Sequence, residues 1–569
     1  MHILLIASAY NSLTQRVHAE LRDRGHTVAV ERTPDGDAVR EAVRRHEPGL
    51  VLAPMLKTVI PADVWTRHTC LVVHPGPVGD RGPSSLDYAV QEDAGVWGVT
   101  VLQADAEMDA GDVWATATVA LPPLAKGDLY RGEVSDAAVT AVLLAVDRFA
   151  SGDYEPRPQS AMSGRASVRP YVRQELRRIS WADDPTETVL RKLRAADSQP
   201  GVLDELLDGE WFLHGGHPED QLRGRPGELL ATRAGALCRA TADGAVWIPE
   251  LRPRRDAGGR PGFKLPATLA LGDRLPLLPD LPAPLSLGEH RRTWSDIRYR
   301  EEGPVGVLSF SFPGGAMSTG HCRRLLDAYR VACSRPTSVL VLGAARDFFS
   351  NGIHLNVIEA AADPAAESRA NIEAMDDLVE AVLTTTDRLV VAAVGGNAAA
   401  GGVMFALAAD EVWCRAGAIL NPHYRLMGLY GSEYWTYSLP RRVGGPVAER
   451  LTSQALPVTA TAALRLGLIE RVVECGPEEF AGEVTRMAAR LAPNPSTQSR
   501  IAAKKAARER DEAARPLAAY REDELARMLR TFADPAAPYH RLRRAFVRKE
   551  SPEGTRPEDA AVAAGTAAC

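Results

Sequence analysis

The chain has 569 residues, more than one hydrophobic core can organise, so several domains are expected. Hydrophobic residues make up 45% and charged residues 25%, which is typical of a globular protein. The net charge of −6 disfavours a nucleic-acid binder, since that class usually carries a basic excess. No apolar stretch is long enough to span a bilayer and no signal peptide is evident, so we expect a cytoplasmic protein without a membrane segment.

Short apolar runs alternate with helical segments over residues 1–165, which predicts a doubly wound α/β sheet with parallel strands. The first run, residues 3–6, is followed by Ser12 and Gln15, which match a capping box and predict the start of a helix. Ligands of such sheets gather at the carboxyl ends of the strands. Further strands are predicted at 28–30, 50–53, 71–73 and 97–102.

Changes in composition predict how the rest of the chain is organised. Short β-like runs follow a helical segment, a Pro/Gly-rich stretch comes next, and a second strand–helix alternation begins at Val305. The seven cysteines form no C-x-x-C pair, and His214 and His217 have no third ligand nearby, so we expect neither a disulfide framework nor a bound metal. The predicted boundaries are 166–260 for a small β domain, 261–290 for an extended linker, 291–475 for a second α/β domain, 476–548 for a helical segment and 549–569 for a disordered tail.

A histidine and an aspartate follow neighbouring strands of the first predicted sheet. His74 comes directly after the strand at 71–73, and Asp109 lies in the loop after the strand at 97–102. A carboxylate delivered beside a histidine can fix its tautomer and stabilise the imidazolium, which suits the pair for proton transfer.

The runs HPGPVGDRGPSSLDYA and GVTVLQADAEMDAGD, which contain this pair, resemble the catalytic region of formyltetrahydrofolate-dependent formyltransferases. The resemblance implies formyl transfer by an Asn, a His and an Asp, of which the last two match His74 and Asp109. The Asn position holds Val72, and losing such an oxyanion donor can cost on the order of 3 kcal/mol. Asn11 is our candidate substitute, with helix capping as the alternative role. The resemblance also makes Arg81 and Gly82 candidate contacts of the folate substrate, and residues 180–251 resemble the small OB-like C-terminal domain of transformylases.

Two glycine-rich junctions in the C-terminal half each follow a predicted strand, at residues 347–355 and 394–410. Small residues there let a ligand approach the backbone, and a helix N-terminus offers free amides. Together the loops resemble the crotonase (enoyl-CoA hydratase/isomerase) fold, which stabilises thioester enolates with one backbone amide from each loop. The resemblance assigns these amides to Ile353 and Gly401. It places Gly352 and Gly402 beside them as contacts of a coenzyme A thioester.

The two glutamates of the hydratases are absent: one position holds Met404, and the other falls near His423. We therefore expect no hydration of enoyl thioesters. Tyr424 and Glu433 stand nearby in the sequence and are our candidates for an acid/base pair, in either order, if the glutamate is desolvated. The aromatic residues expected only to pack in the core are Tyr434, Trp435 and Tyr437.

A formyltransferase-like half joined to a crotonase-like half without its glutamates resembles the HypX (HoxX) family of nickel–iron hydrogenase maturation proteins. The match is carried by HPGPVGDRGPSSLDYA, FFSNGIHLNVIEAA, NAAAGGVMFALAAD and NPHY…LYGSEYWTYSLPRRVG. It implies that carbon monoxide, a ligand of the hydrogenase active site, is made from a formyl group. Formyltetrahydrofolate and coenzyme A would be the small molecules used, and the hydrogenase large subunit or its maturation machinery the protein partner.

Two alternatives remain open at this stage. The chain could formylate an amine, such as an aminoacyl-tRNA or a sugar nucleotide, with the crotonase-like half as a scaffold; Val72 argues against ordinary amine chemistry. It could instead be a docking module for a hydrogenase subunit, which would leave His74, Asp109 and the paired loops without a role. Formyltetrahydrofolate turnover with and without coenzyme A separates the three hypotheses.

Overall fold

The computed structural model describes residues 1–162, 167–256, 258–288 and 290–550. Nearly all of the predicted disordered tail, from 551 onward, lies outside the described residues. The described chain forms two compact units. The N-terminal unit contains residues 1–282, 292–294 and 548–550, and the C-terminal unit contains residues 283–291 and 295–547. Within the described ranges, no helix combines the length and apolarity needed to cross a membrane.

The N-terminal unit holds sixteen strands and nine α-helices among its described residues. The strands are β1 (His2–Ala7), β2 (Thr27–Arg32), β3 (Leu50–Met55), β4 (Cys70–His74), β5 (Asp80–Arg81), β6 (Val96–Gln103), β7 (Val113–Ala120), β8 (Ser167–Val168), β9 (Val202–Leu206), β10 (Gly209–His214), β11 (His217–Glu219), β12 (Leu229–Arg233), β13 (Ala236–Ala240), β14 (Ala245–Ile248), β15 (Glu250–Pro253) and β16 (Leu265–Pro266). The helices are α1 (Ser12–Asp23), α2 (Gly36–His46), α3 (Ala62–Trp65), α4 (Ser85–Gln91), α5 (Lys126–Leu129), α6 (Ser135–Ser151), α7 (Gln174–Arg177), α8 (Thr186–Ala196) and α9 (Ala267–Leu271).

The first sheet has the order β2-β1-β3-β4-β6-β7. Both faces of β1 are covered, because Ile3 and Leu5 belong to one hydrophobic core and Leu4 and Ile6 to another. This confirms the doubly wound α/β prediction. The expectation of parallel strands holds for β1 to β4 but is wrong for β6 and β7, which are antiparallel to their neighbours. The loop between β6 and β7, residues 104–112, is too short for the crossover that parallel strands require.

Helix α1 begins one residue earlier than the capping box predicted. Asn11 has extended backbone angles and its Oδ1 accepts the amide of Thr14 at 3.0 Å, so Asn11 is the N-cap. Ser12 is the first helical residue, and the prediction of a Ser12 cap is wrong. Asn caps a helix at least as well as Ser, since its side-chain oxygen reaches the same free amides.

Two antiparallel four-stranded sheets, β16-β15-β10-β9 and β11-β14-β13-β12, follow the first sheet. They supply the small β domain expected after residue 166. The stretch 261–290, for which we expected an extended linker, contains β16 and α9. Ala267 and Leu271 of α9 are spaced one helical turn apart, and both are buried in the hydrophobic core of these sheets.

The C-terminal unit is built on a second α/β sheet. Its strands are β17 (Ile297–Glu302), β18 (Val305–Phe310), β19 (Val339–Gly343), β20 (Leu389–Val394), β21 (Ala398–Ala399), β22 (Glu411–Arg415), β23 (Ile419–Asn421), β24 (Val458–Thr459) and β25 (Arg471–Val473). Its helices are α10 (Thr319–Cys333), α11 (Leu355–Ala360), α12 (Pro364–Thr384), α13 (Gly401–Leu407), α14 (Trp435–Val443), α15 (Gly445–Gln454), α16 (Ala460–Arg465), α17 (Phe480–Leu491), α18 (Pro495–Ala514), α19 (Leu517–Ala533) and α20 (Pro538–Arg548).

The main sheet of this unit has the order β17-β18-β19-β20-β22-β25. All its neighbours are parallel except the hairpin of β17 and β18, so the carboxyl ends of β19 and β20 lie at the same edge. The two glycine-rich loops leave the sheet there, after β19 and after β20. The fully buried apolar runs of these strands are typical of a parallel sheet covered on both faces. The helices α17 to α20 form the predicted helical segment.

Candidate active sites

His74, the last residue of β4, lies between two carboxylates. Its Nε2 is 3.0 Å from Oδ2 of Asp80, and its Nδ1 is 3.5 Å from Oδ1 of Asp109. His74 and Asp80 are each 4% exposed, so water hardly screens the contact between them. The structure therefore brings together the two residues proposed from sequence and adds a third, Asp80, which was not proposed.

The loop that carries Asp109 is braced against the loop that follows His74. Asp109 has a φ of 56°, a left-handed conformation that Asp tolerates better than most residues. Its Oδ2 accepts the amide of Gly82 at 3.1 Å. Gln159 donates from Nε2 to the Asp109 carbonyl at 2.8 Å and accepts the Gly79 amide at 3.1 Å, so it connects the two loops. Gln159 lies about fifty residues beyond Asp109 in the chain, and no sequence signal pointed to it.

A glycine makes room for the contact between His74 and Asp80. A Cβ placed on Gly76 would overlap both His74 Nε2 and Asp80 Oδ2. Thr100 of β6 fixes this turn by donating to the Gly76 carbonyl at 2.8 Å. The one sequence signal for Asp80 is an acidic residue in the loop that follows a histidine at the end of a strand, and the formyltransferase pattern does not include it.

His74 and Asp109 both line a cavity of about 880 Å³ within the N-terminal unit, a size typical of small-molecule sites. Val72, at the expected Asn position, also lines the cavity. Asn11 lines it too, while its Oδ1 caps α1 and its Nδ2 donates to Tyr130 Oη at 3.0 Å. The cations along the wall are Arg32, Lys57, Lys126, Arg131 and Lys549.

Arg81 and Gly82, the other candidate folate contacts, differ in position. Arg81 pairs with the exposed Glu107 at 2.6 Å, so its charge is directed to that carboxylate. Gly82 lines the cavity with a φ of 119°, and a Cβ there would overlap the carbonyl of Arg169. Only glycine fits this close approach of two backbone segments.

The second candidate site lies where the two glycine-rich loops of the C-terminal unit meet. The Ala399 amide donates to the Ser350 carbonyl at 2.9 Å, which joins the loops side by side. A Cβ on Gly402 would overlap that same carbonyl, and a Cβ on Gly352 would lie 3.3 Å from the Gly401 amide nitrogen. Ile353 follows Gly352 directly, so its amide and that of Gly401 are on adjoining loops. Gly401 is the first residue of α13, where amides have no acceptor within the helix.

Glu433 lies directly against Gly401. A Cβ on Gly401 would overlap the Glu433 carboxylate, whose Oε2 accepts the Tyr424 hydroxyl at 2.7 Å. Glu433 is 1% exposed, and burial raises its pKa to about 7. Burial and the neighbouring Glu433 charge raise the pKa of Tyr424 well above its usual value. The pair proposed from sequence is thus joined by a hydrogen bond beside one of the proposed oxyanion amides.

The turn that carries Glu433 has two successive non-glycine residues in the left-handed region, Glu433 at φ 59° and Tyr434 at φ 57°. Each such residue costs on the order of 1–3 kcal/mol unless its surroundings fix it. Asp376 of α12 accepts the Glu433 amide at 2.8 Å, and Glu524 of α19 accepts the amides of Tyr434 and Thr436 at 2.9 and 2.8 Å. Neither carboxylate was predicted from the sequence, since neither lies near a recognisable motif.

Similarity to known proteins extends over nearly the whole chain. The protein is 48% identical over 550 residues to the hydrogenase maturation factor HoxX of Bradyrhizobium diazoefficiens, a match that covers 96% of this chain and 95% of that one. The chain belongs to the HypX/HoxX family of hydrogenase maturation factors. The crystal structure of HypX from Aquifex aeolicus in complex with tetrahydrofolic acid has a TM-score of 0.93 and 42% identity, covering 98% of this chain and 97% of that one.

The two modules of this HypX/HoxX-family chain match separate family profiles. The formyl transferase C-terminal domain profile matches residues 172–257, and the enoyl-CoA hydratase/isomerase profile matches residues 311–552. The second match extends through the helices α17 to α20. The methionyl-tRNA formyltransferase of Variovorax paradoxus is 27% identical over 250 residues, covering 42% of this chain and 72% of that one. The HypX/HoxX chain therefore combines a formyltransferase module with a crotonase module.

Met404 and His423, which the resemblance places at or near the hydratase glutamate positions, supply no carboxylate. Met404 is fully buried in the hydrophobic core, and burial lowers the pKa of His423 to about 4, so that histidine is neutral near pH 7. Tyr434 and Tyr437 are buried in the same core, and Trp435 packs against it. No group of three or more metal-ligating side chains is present in the part of the chain that the structure describes.

Proposed function

We propose that this HypX/HoxX-family protein transfers a formyl group from formyltetrahydrofolate to coenzyme A and then releases carbon monoxide from formyl-CoA. The carbon monoxide would supply the nickel–iron hydrogenase active site, with the hydrogenase large subunit or its maturation machinery as receiver in the cytoplasm. The observation that carries the proposal is the buried Tyr424–Glu433 pair against the Gly401 amide, at a crotonase site without hydratase acids. Binding of tetrahydrofolic acid to the Aquifex HypX supports the first substrate.

Formyl transfer would use the cavity that contains His74. The thiol of coenzyme A loses its proton to His74, the sulfur attacks the formyl carbon, and the proton then passes to the folate nitrogen as its bond to carbon breaks. Asp109 stabilises the imidazolium that forms between these steps. A thiol is deprotonated more easily than an amine, which lessens the need for the donor lost at Val72. Asn11 lines the same cavity, and its amide is our candidate replacement donor.

The wall of the cavity carries charges of both signs, and its acidic residues are Asp87, Asp105, Glu107, Asp109 and Asp197. Five cationic side chains line it, among them Lys126 and Arg131 on consecutive short helical turns. A Cβ on Gly127 would lie 3.1 Å from Arg131 Nη1, which shows how closely that guanidinium covers the backbone. Folate carboxylates and the phosphates of coenzyme A are both matched by such cations. Binding of phosphates by such cations does not require a glycine-rich nucleotide-binding motif.

Carbon monoxide release would use the second site. The amides of Ile353 and Gly401 bind the formyl oxygen, Glu433 removes the formyl proton, and the carbon–sulfur bond breaks with its electron pair passing to sulfur. Tyr424 is protonated at neutral pH, as an ordinary phenol is, so it acts as the acid that protonates the sulfur. The 2.7 Å hydrogen bond then returns the proton from Glu433 to Tyr424. The products are carbon monoxide and the free thiol.

The test is release of carbon monoxide from purified protein supplied with formyltetrahydrofolate and coenzyme A, followed by the spectral shift of added haemoglobin. Gas that requires both substrates supports the proposal. Folate consumption without gas, and independent of coenzyme A, would contradict it and favour an amine acceptor. No consumption of folate at all would favour a docking role.

A further inference from the structure

We propose that Asp80 is a positioning residue of the first site: it holds His74 as the tautomer with hydrogen on Nε2, and so makes Nδ1 the nitrogen that exchanges protons with the substrates. This inference rests on the proposed formyl transfer and adds to it the residue and the ring atom through which the proton moves.

The two carboxylates beside His74 are not equivalent. Asp109 lines the cavity together with His74, whereas Asp80 belongs to β5 and its side chain is only 3% exposed. Oδ1 of Asp80 is 3.5 Å from Nε of Arg169, so the far side of this carboxylate faces a guanidinium of the protein. Asp80 therefore lies on the protein side of the imidazole and Asp109 on the substrate side.

The distances favour one tautomer. An ionised carboxylate only accepts hydrogen bonds, so the 3.0 Å contact with Asp80 requires a hydrogen on Nε2 of His74. At 3.5 Å, the contact of Nδ1 with Oδ1 of Asp109 is at the limit of a hydrogen bond and longer than the contact with Asp80. A neutral imidazole has one N–H, which Asp80 receives. Nδ1 is left with a lone pair beside the cavity.

The proton balance of formyl transfer follows from this tautomer. Nδ1 takes the proton of the coenzyme A thiol while the sulfur–carbon bond forms. The resulting imidazolium has a carboxylate at each nitrogen, Asp80 at Nε2 and Asp109 at Nδ1, which stabilises its charge. Nδ1 then gives the proton to the folate nitrogen as the carbon–nitrogen bond breaks, and His74 returns to its first state.

The turn after His74 is built to keep this contact. Any side chain at Gly76 would occupy the space of the Nε2–Asp80 hydrogen bond. The following Pro77 lies against Gly98 of β6, where a Cβ would come within 2.8 Å of the Pro77 Cα. Gly76 and Gly98 therefore allow the backbone to fold closely around the His74–Asp80 contact. An ion pair at the surface would not need such close packing.

The first experiment is nitrogen NMR of the full-length protein labelled with ¹⁵N-histidine. The His74 signals are identified by their loss in His74→Asn, and spectra are recorded at a pH where the imidazole is neutral. We expect hydrogen on Nε2 in the wild type and a mixture of tautomers in Asp80→Asn. Hydrogen on Nδ1 in the wild type would overturn the inference, and this result does not depend on whether Asp80→Asn folds.

The second experiment measures formyl transfer to coenzyme A by Asp80→Asn. We expect kcat to fall on the order of 10²-fold while KM for formyltetrahydrofolate changes less than about threefold, because the base and not the binding surface is altered. The exposed Asp112, in the same loop as Asp109, provides the control Asp112→Asn, which should keep full activity. Wild-type rates in Asp80→Asn would overturn the role of Asp80. A wild type that forms no formyl-CoA would instead refute the proposed function, and the NMR result would still decide the tautomer.

Discussion

His74 in the N-terminal unit and Glu433 in the C-terminal unit are both buried titratable side chains, but different kinds of contact hold them. Side chains flank the imidazole of His74 on both ring nitrogens, Asp80 on one and Asp109 on the other. These contacts act on the titratable ring itself. In the tautomer that we propose for His74, the contact with Asp80 places the hydrogen on Nε2.

Glu433 is held mainly through its backbone. Asp376 and Glu524 accept the amides of Glu433 and Tyr434, so they stabilise a left-handed turn and the direction in which the carboxylate points. The carboxylate itself keeps the Tyr424 hydroxyl and the Ser432 amide as hydrogen-bond donors. Charged side chains therefore set the surroundings of the His74 ring, whereas burial and backbone conformation set those of the Glu433 carboxylate. Variants at each site test these two kinds of contact separately.

The largest effect is expected for Glu433→Gln. The amide keeps the shape of the side chain but cannot remove the formyl proton, so gas release should fall by roughly 10²–10⁴-fold. Formyl-CoA should accumulate, which chromatography measures alongside the haemoglobin assay. Glu449→Gln, an exposed position on α15, is the matched control and should release gas normally. Equal loss of formyl transfer and gas release in Glu433→Gln would contradict two separate sites.

The second-largest effects are expected for substitutions of Gly76 and Gly401, one glycine from each site. Gly76→Ala should slow formyl transfer, and Gly401→Ala should slow gas release from supplied formyl-CoA, each by roughly 10²-fold, because the added methyl overlaps the reactive pair. The control is Gly482→Ala in α17, where a Cβ meets no atom within 4 Å. Both half-reactions are assayed in all three variants. A variant that slows both half-reactions equally, with unchanged thermal stability, would argue against independent sites.

A smaller effect is expected on the pH dependence of carbon monoxide release. Glu433 must be ionised to act as base, and its pKa of about 7 predicts that gas release rises with pH and reaches half its plateau near pH 7. The nearby charge of Glu524 contributes to raising this pKa, after burial. Glu524→Gln keeps an oxygen that can accept the Tyr434 amide, and should move the midpoint to lower pH. Rates measured from pH 5 to 9 with formyl-CoA check this; an unmoved midpoint would show that Glu524 acts only through hydrogen bonds.

The smallest effect tests the cap of α1. Asn11→Ala removes the oxygen that accepts the Thr14 amide and should lower the free energy of unfolding of the N-terminal unit by about 1 kcal/mol. Asn11→Asp keeps this oxygen and should lose less than half as much. Urea unfolding followed by circular dichroism measures both variants. An equal loss in Asn11→Asp and Asn11→Ala would mean that the amide contact with Tyr130, which both variants lack, stabilises the protein and the cap does not.

Much of the fold followed from local patterns. Apolar runs predicted β1, β3 and β4, and glycine-rich junctions predicted two of the loops that leave the second sheet. The direction of β6 could not be predicted, because strand order and direction depend on pairing partners distant in the chain. The helix start at Asn11 was also misassigned, since Asn and Ser are equally good caps and only the backbone angles distinguish them.

The sequence alone singled out four candidate site residues: His74 and Asp109 after neighbouring strands, and Tyr424 and Glu433 near the glycine-rich loops. It also determined the family, because these motifs occur in order along one chain. Motifs of this kind are local, so a linear reading detects them.

The hydrogen bonds and the burial of those side chains could be read only from the tertiary structure. The amide of Tyr434 bonds to Glu524, ninety residues away, and the Asp109 carbonyl bonds to Gln159, fifty residues away. Burial that raises the pKa of Glu433 to about 7 is likewise a property of the packed core and not of any short segment. Hydrogen bonds and desolvation act between neighbours in space, and the chain order alone does not specify those neighbours.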